Sequence, residues 1–214
     1  MKMKLIEDIL IDLKENYIDS KVRDVRVGIT WTAVLSRNCG LGYTFHSSRE
    51  AGVRGAGKLT EKTAFGLAEY IKSWNFTEAS KNKNIAMVGH FPHSEEIKAA
   101  AKNLWIIEKN PYLGDFPAEA SDYLIPKADI AVISGTTLIN KSMEHLLELC
   151  RDNRVYTIIL GPSTLMSPVL FDYGADMLAG CRVINIERML KKVSHGAGLV
   201  KEFKDDIEFV VIDK

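Results

Sequence analysis

The sequence predicts an α/β fold for residues 84–214, a Rossmann-like and mainly parallel sheet with helices on both faces. Two observations lead there. Apolar runs of strand length recur at Ile85–Val88, Leu104–Ile107, Ile130–Ile133, Val155–Leu160 and Phe209–Ile212. They are apolar throughout rather than alternating, as strands are when both sheet faces are covered. Helical or polar stretches separate them, notably Ser94–Lys102, Lys141–Cys150 and Glu187–Val193. Cys181–Ile184 offers one further strand.

Residues 1–80 read as a small α+β domain. Leu5, Ile6, Ile9, Leu10, Leu13 and Tyr17 follow a helical period with one buried face. The period then becomes two: Val25, Val27, Ile29, Trp31 and Ala33 alternate with Arg26, Gly28, Thr30 and Thr32, which predicts one strand. Ser36-Arg37-Asn38 turns the chain, and Cys39–Phe45 returns as an antiparallel partner. A glycine-rich loop, Gly52–Gly57, leads to Thr60 as the N-cap of a helix ending near Ser73. The polar stretch Asn75–Asn84 is the expected domain boundary.

Charge and cysteine usage narrow the partners. Twenty-eight basic residues balance 28 acidic ones, so no global field draws nucleic acid or an anionic membrane. No apolar run approaches the roughly 20 residues a bilayer crossing needs. Acids at Glu7, Asp8 and Asp12 interrupt the first apolar stretch and argue against a signal peptide. Cys39, Cys150 and Cys181 are odd in number and form no C-x-x-C pair, so a cytoplasmic protein with reduced thiols is expected. A homodimer is expected on general grounds.

In an open parallel sheet, ligands bind outside the carboxyl ends of the strands. Those ends here carry Gly89-His90-Phe91-Pro92-His93, then Glu108-Lys109-Asn110-Pro111, then Ser134-Gly135-Thr136-Thr137-Leu138-Ile139-Asn140, then Gly161-Pro162-Ser163-Thr164. Glu108 stands where a Rossmann acid holds ribose hydroxyls, although an acid at a strand end is also simply well solvated. Bulky residues after Gly89, and the acids Glu95 and Glu96 on the first helical turn, argue against a pyrophosphate. Thr136, Thr137 and Asn140 suit either a helix cap or a carboxylate ligand, and Gly161-Pro162-Ser163-Thr164 offers the same choice, with Pro168 opening the next helix. His90 and His93 have H-x-x-H spacing in a proline-containing loop. Cys39, His46 and Glu108 complete a transition-metal set only if the two domains meet there. Cys150 reads as core packing. No Ser/His/Asp arrangement stands out.

The segments MVGHFP, IIEKNP, DFPAEASDYLIPKADIAVISGTTLIN, LGPSTLMSPVLFDYGAD and LAG resemble, in order, a domain family of unknown function described as a "putative heavy-metal chelation" domain. VGITWTAV and CGLGYTF resemble the small domain preceding it, which is similar in fold to the amino-terminal domain of enolase. The resemblance implies a ligand site in a cleft between the domains. By motif, His90, Pro92, Glu108, Thr136, Thr137, Asn140, Gly161, Pro162 and Ser163 line it, with Thr32, Cys39 and Gly40 facing from the small domain. One departure stands out: family members usually continue after the segment matching Phe76–Ser80 with a helical stretch, whereas this chain passes almost directly to Asn84. The implied function is binding of a small anionic ligand, a transition metal or a metal chelate. The alternative is an enzyme using a nucleoside cofactor such as S-adenosylmethionine, with Glu108 on the ribose.

Overall fold

The computed structural model describes residues 4–28, 30–43, 58–64, 84–91, 94, 98 and 101–214. The expected glycine-rich loop, the helix body to Ser73, the boundary stretch, Pro92, His93, His46, Glu95 and Glu96 lie outside those residues. The chain divides into two compact units. One comprises Met1–Leu5, Trp74–Gly180 and Val211–Lys214; the other comprises Ile6–Ser73 and Cys181–Val210.

The larger sheet is the predicted α/β sheet. Its strands are β4 (Asn84–Val88), β5 (Asn103–Glu108), β6 (Phe116–Pro117), β7 (Ile130–Ser134), β8 (Tyr156–Leu160), β9 (Met177–Val183) and β10 (Ile207–Asp213), in the order β10-β9-β8-β7-β4-β5-β6. Every pairing from β6 through to β9 is parallel. Ile85, Ala86 and Met87 are consecutive and fully buried, as are Ala131, Val132 and Ile133. Such strands must be covered on both faces, which explains why their sequences lack alternation. From β4 the chain moves outward through β5 and β6, then returns to place β7 on the other side of β4. A switch point therefore lies between β4 and β7, where open α/β sheets bind ligands.

Two apolar stretches folded differently from their sequence signal. The strand expected at Cys181–Ile184 begins earlier, at Met177. Gly180 hides the continuity, yet it is needed there: an added Cβ would lie 2.7 Å from Met166 Sδ and 3.2 Å from the Thr164 carbonyl oxygen. The helix expected from Lys141 begins at Met143 and runs to Asp152 (the third described helix, α3, after α1 at Lys4–Asn16 and the short α2 at Ser121–Leu124). Lys141 itself has φ 70°, left-handed backbone that cannot continue a right-handed helix.

In the other unit, the single strand expected from Val25 to Ala33 is two. β1 (Asp24–Val27) and β2 (Trp31–Leu35) pair antiparallel, and β3 (Cys39–Tyr43) follows through the predicted Ser36-Arg37-Asn38 turn. Alternation continued through the reversal, so period alone could not reveal it. The Gly28 amide donates to the Trp31 carbonyl at 2.9 Å to close the turn. Thr60, the expected helix cap, instead sits in a 3₁₀ turn, Leu59–Glu61; Thr63 beyond it bridges Lys21. The core joins Trp31 and Ala33 of β2 to Met189, Leu190 and Val193 of helix α5 (Ile186–Ser194, after α4 at Val169–Tyr173), with Phe203 and Ile207. Trp31 meets Phe203 edge to face at 5.8 Å and donates from Nε1 to the Gly198 carbonyl at 3.2 Å. Among the described residues, no helix is long and apolar enough to cross a membrane.

Gly28 also fixes α5 against the hairpin, because an added Cβ would lie 2.3 Å from the Val193 carbonyl oxygen. Both atoms belong to backbone, so relief requires moving an element. Gly28→Ala is expected to destabilise the chain by about 1–3 kcal/mol, the usual cost of overpacking. A lower urea midpoint with unchanged slope is the expected reading; an unchanged midpoint would contradict it.

Candidate functional site

A cavity of about 130 Å³ opens at the carboxyl ends of β4 and β5. Val88 and Gly89 form its β4 side, and Ile107, Glu108 and Lys109 its β5 side. Ser121 and Asp122 come from α2, Thr137 from the turn after β7, and Ser142, His145 and Leu146 from the start of α3. The parallel topology delivers these residues together: each strand ends at the same sheet edge, and each connection begins there.

Glu108 is the central acid. It is 7% exposed, and its Oε2 accepts backbone amides from Lys109 at 2.7 Å and Asn110 at 3.4 Å. Its Oε1 accepts no hydrogen bond from the described residues. Lining the same cavity is an aspartate–histidine pair that sequence reasoning missed, with His145 Nε2 2.7 Å from Asp122 Oδ1. Its members are separated by β7, and neither lies at a strand end, so strand-end reading passed over both.

The hydroxyl-rich strand ends are largely occupied by their own backbone. Ser134, not a threonine, caps the 3₁₀ turn Gly135–Leu138, accepting the Thr136 amide at 3.2 Å. Thr136 Oγ1 lies 2.9 Å from Ser134 Oγ, and Thr137 Oγ1 donates to the Ser134 carbonyl at 2.6 Å. Asn140 Oδ1 accepts the Ser142 amide at 2.7 Å, while its Nδ2 is buried without a partner. Gly161, at φ 122°, begins a turn through Pro162 and Ser163 that closes when the Thr164 amide donates to the Gly161 carbonyl at 2.9 Å. Thr164 Oγ1 is buried without a partner. These two loops touch: an added Cβ on Gly135 would lie 2.5 Å from Thr164 N and Cα.

Of the remaining expected site residues, His90 is held away from the cavity lining. Its Nε2 is 2.7 Å from Asp115 Oδ2, and its ring meets Tyr112 at 5.3 Å. Thr32, Cys39 and Gly40 lie on β2 and β3 of the other unit. Pro92 lies outside the described residues.

A resident metal does not fit the described groups. No set of three or more His, Cys, Asp or Glu among the described residues is placed to hold one. Both His90 and His145 give a ring nitrogen to a carboxylate. Burial pushes the Cys150 thiol up to about 12 and the Cys181 thiol to about 11, and raises that of Cys39. At neutral pH these are thiols, whereas metals take thiolates.

Lys141 is the strained residue beside the cavity. It is 9% exposed and donates from Nζ to the Ile139 carbonyl at 2.7 Å. Burial lowers its ammonium from the ordinary 10.5 to about 8. Between these values the unfolded chain holds more protons than the folded one, so stability from this group rises with pH across that window. Measured by denaturant titration against Lys141→Met, the native chain should gain relative stability from about pH 8 to 10.5; a flat difference would contradict the shift. Gly135→Ala should in turn lower stability by about 1–3 kcal/mol, or more if neither backbone yields.

Comparison with known proteins agrees with this architecture. A solved structure from Desulfitobacterium hafniense, a DUF364-family protein of unknown function, superposes with TM-score 0.82 over 99% of this chain and 100% of that one at 24% identity. A second, from Pyrococcus horikoshii, gives TM-score 0.68 over 98% of each chain at 20% identity. An uncharacterized protein of Methanocaldococcus jannaschii is 30% identical over 114 residues, covering 50% of this chain. That match spans 44% of the relative's own length. A second family model, DUF4213, matches residues 11–81 and carries the same description as DUF364, "Putative heavy-metal chelation". With the DUF364 model matching residues 74–212, the chain belongs to the DUF364 family.

Proposed function

We propose that this protein binds a small hydroxy-acid type of ligand, free or as its metal chelate, at the switch-point edge of the parallel sheet. The observation that carries the reading is Glu108. A carboxylate buried this deeply, with one oxygen held by backbone amides and the other facing no described donor, has its remaining acceptor capacity directed at a ligand. Hydroxyl groups are the fitting partners, because a carboxylate only accepts. At about 130 Å³ the cavity admits the hydroxylated end of such a molecule, well below the roughly 300–1,000 Å³ of sites that enclose a drug-sized ligand. The family description points toward metals, while the described side chains lack a ligand set. Both are met if the metal arrives as cargo inside an organic chelate.

Equilibrium dialysis against iron(III), nickel, cobalt and zinc, each alone and with citrate, tests the reading. Retention is expected only in the citrate arms, and Glu108→Gln should weaken it at least tenfold, as loss of a hydrogen bond to a charged group costs about 1.5–3 kcal/mol. Stoichiometric retention of a free metal would overturn the chelate reading; retention in no arm would overturn ligand binding altogether.

A second reading, S-adenosylmethionine on Glu108, is favoured by the position of that acid after the second strand of the sheet. The small cavity weighs against it. Calorimetry that finds S-adenosylmethionine binding tighter than millimolar would restore it.

A further inference from the structure

We propose that the same cavity is a proton-transfer site, in which His145, oriented by Asp122, acts as general base in hydrolysing a small ester whose hydroxylated part Glu108 holds. The inference rests on the ligand position argued above. It begins with the pair itself: His145 Nε2 lies 2.7 Å from Asp122 Oδ1. A carboxylate can only accept, so Nε2 carries the hydrogen and Nδ1 keeps its lone pair. That is the tautomer a general base requires, and the orienting carboxylate is the usual means of fixing it. His145, Asp122 and Glu108 line one cavity, which places the base beside the acceptor that would hold the ligand.

Exposed ion pairs contribute little to stability, and this one is about half exposed on both sides. Fold stability therefore gives weak grounds for its position at the cavity. Ser142 supplies a third group. It precedes His145 by one helical turn, lines the same cavity, and has a hydroxyl buried without a partner. The other titratable groups lining the cavity are Glu108 and Lys109, and the helix that carries His145 also bears Glu144 and Glu148.

Water gives a proton to His145 Nδ1 as its oxygen adds to the ester carbonyl carbon. The carbon–oxygen bond to the alcohol then breaks, and the leaving alkoxide takes the proton back from His145. The products are an acid and an alcohol, and the imidazole returns to its neutral form.

The test uses the full chain with methyl lactate, a small unactivated ester bearing a hydroxyl, with acid release followed by titration and set against free imidazole at equal concentration. Hydrolysis should exceed the imidazole rate. His145→Gln should lower kcat by about 10²-fold or more. Asp122→Asn should lower kcat with little change in KM and alter the pH profile, the signature of a positioning residue. His195→Gln, which removes an exposed imidazole outside this cavity, should leave the rate unchanged. Thermal melts of each variant separate loss of fold from loss of chemistry. A native rate no greater than imidazole, or one unchanged in His145→Gln, would overturn the inference. Citrate–metal retention by the native chain, lost in Glu108→Gln but kept in His145→Gln, would in that case leave the binding reading standing. Failure of both assays would remove the two together.

Discussion

The close approach of Gly135 to the backbone of Ser163 and Thr164 is the contact on which the carboxyl-end edge of the sheet depends. With no side chain at that position, the connections leaving β7 and β8 can seat backbone against backbone. Gly180 repeats the device one strand further on, admitting Met166 and the Thr164 carbonyl against β9. The ends of β7 and β8 and the middle of β9 are thereby held together. The hydroxyls of Thr136 and Thr137 turn back onto Ser134 to stabilise the tight turn that this packing demands. What these loops keep unpartnered, Asn140 Nδ2 and Thr164 Oγ1, is buried. The open capacity lies on the other side of the switch point, at Glu108 and the first turn of α3.

Much of the fold was readable because burial on both faces leaves a direct trace in sequence. Ile85–Val88 and Ile130–Ile133 became β4 and β7 with almost the expected limits. Tertiary requirements that contradict local pattern were hidden. The alternation from Val25 to Ala33 runs through a chain reversal at Gly28, a residue chosen by the proximity of Val193 rather than by its neighbours in sequence. The strand expected at Cys181–Ile184 left out Met177–Ala179, which Gly180 separates from it in sequence. In both cases a glycine serves a close approach that only the folded chain creates.

The site was legible in the same uneven way. Glu108 stood out because the position after the second strand of such a sheet has a known use, and the structure buries it in the cavity. Thr137 was named for its hydroxyl, yet it lines the cavity while that hydroxyl bonds to Ser134. Asp122 and His145 carried no signal. One lies on a short helix after a two-residue strand, and the other on a helix whose apolar face drew attention to Leu146 and Cys150 instead. Nothing in either segment says that they meet at 2.7 Å. That contact is a product of the crossover connections, and pattern within a single element cannot report it.

The distribution of charge around the cavity decides which end of a ligand can enter. Glu108 and Asp122 bring two carboxylates to its wall, answered by Lys109 and His145. A ligand carboxylate pushed beside Glu108 would face repulsion in a partly desolvated space, where charge interactions are strengthened. A hydroxyl avoids that cost and gains an acceptor. Under the proposed reading, the carboxylates of a ligand are therefore better placed outward, in solvent, with a hydroxyl inward. The cysteines reinforce the same conclusion, since burial holds them protonated and unsuited to soft cations. In the reading proposed above, recognition of a metal through the organic shell around it would need no thiolate, only an acceptor for a hydroxyl of that shell.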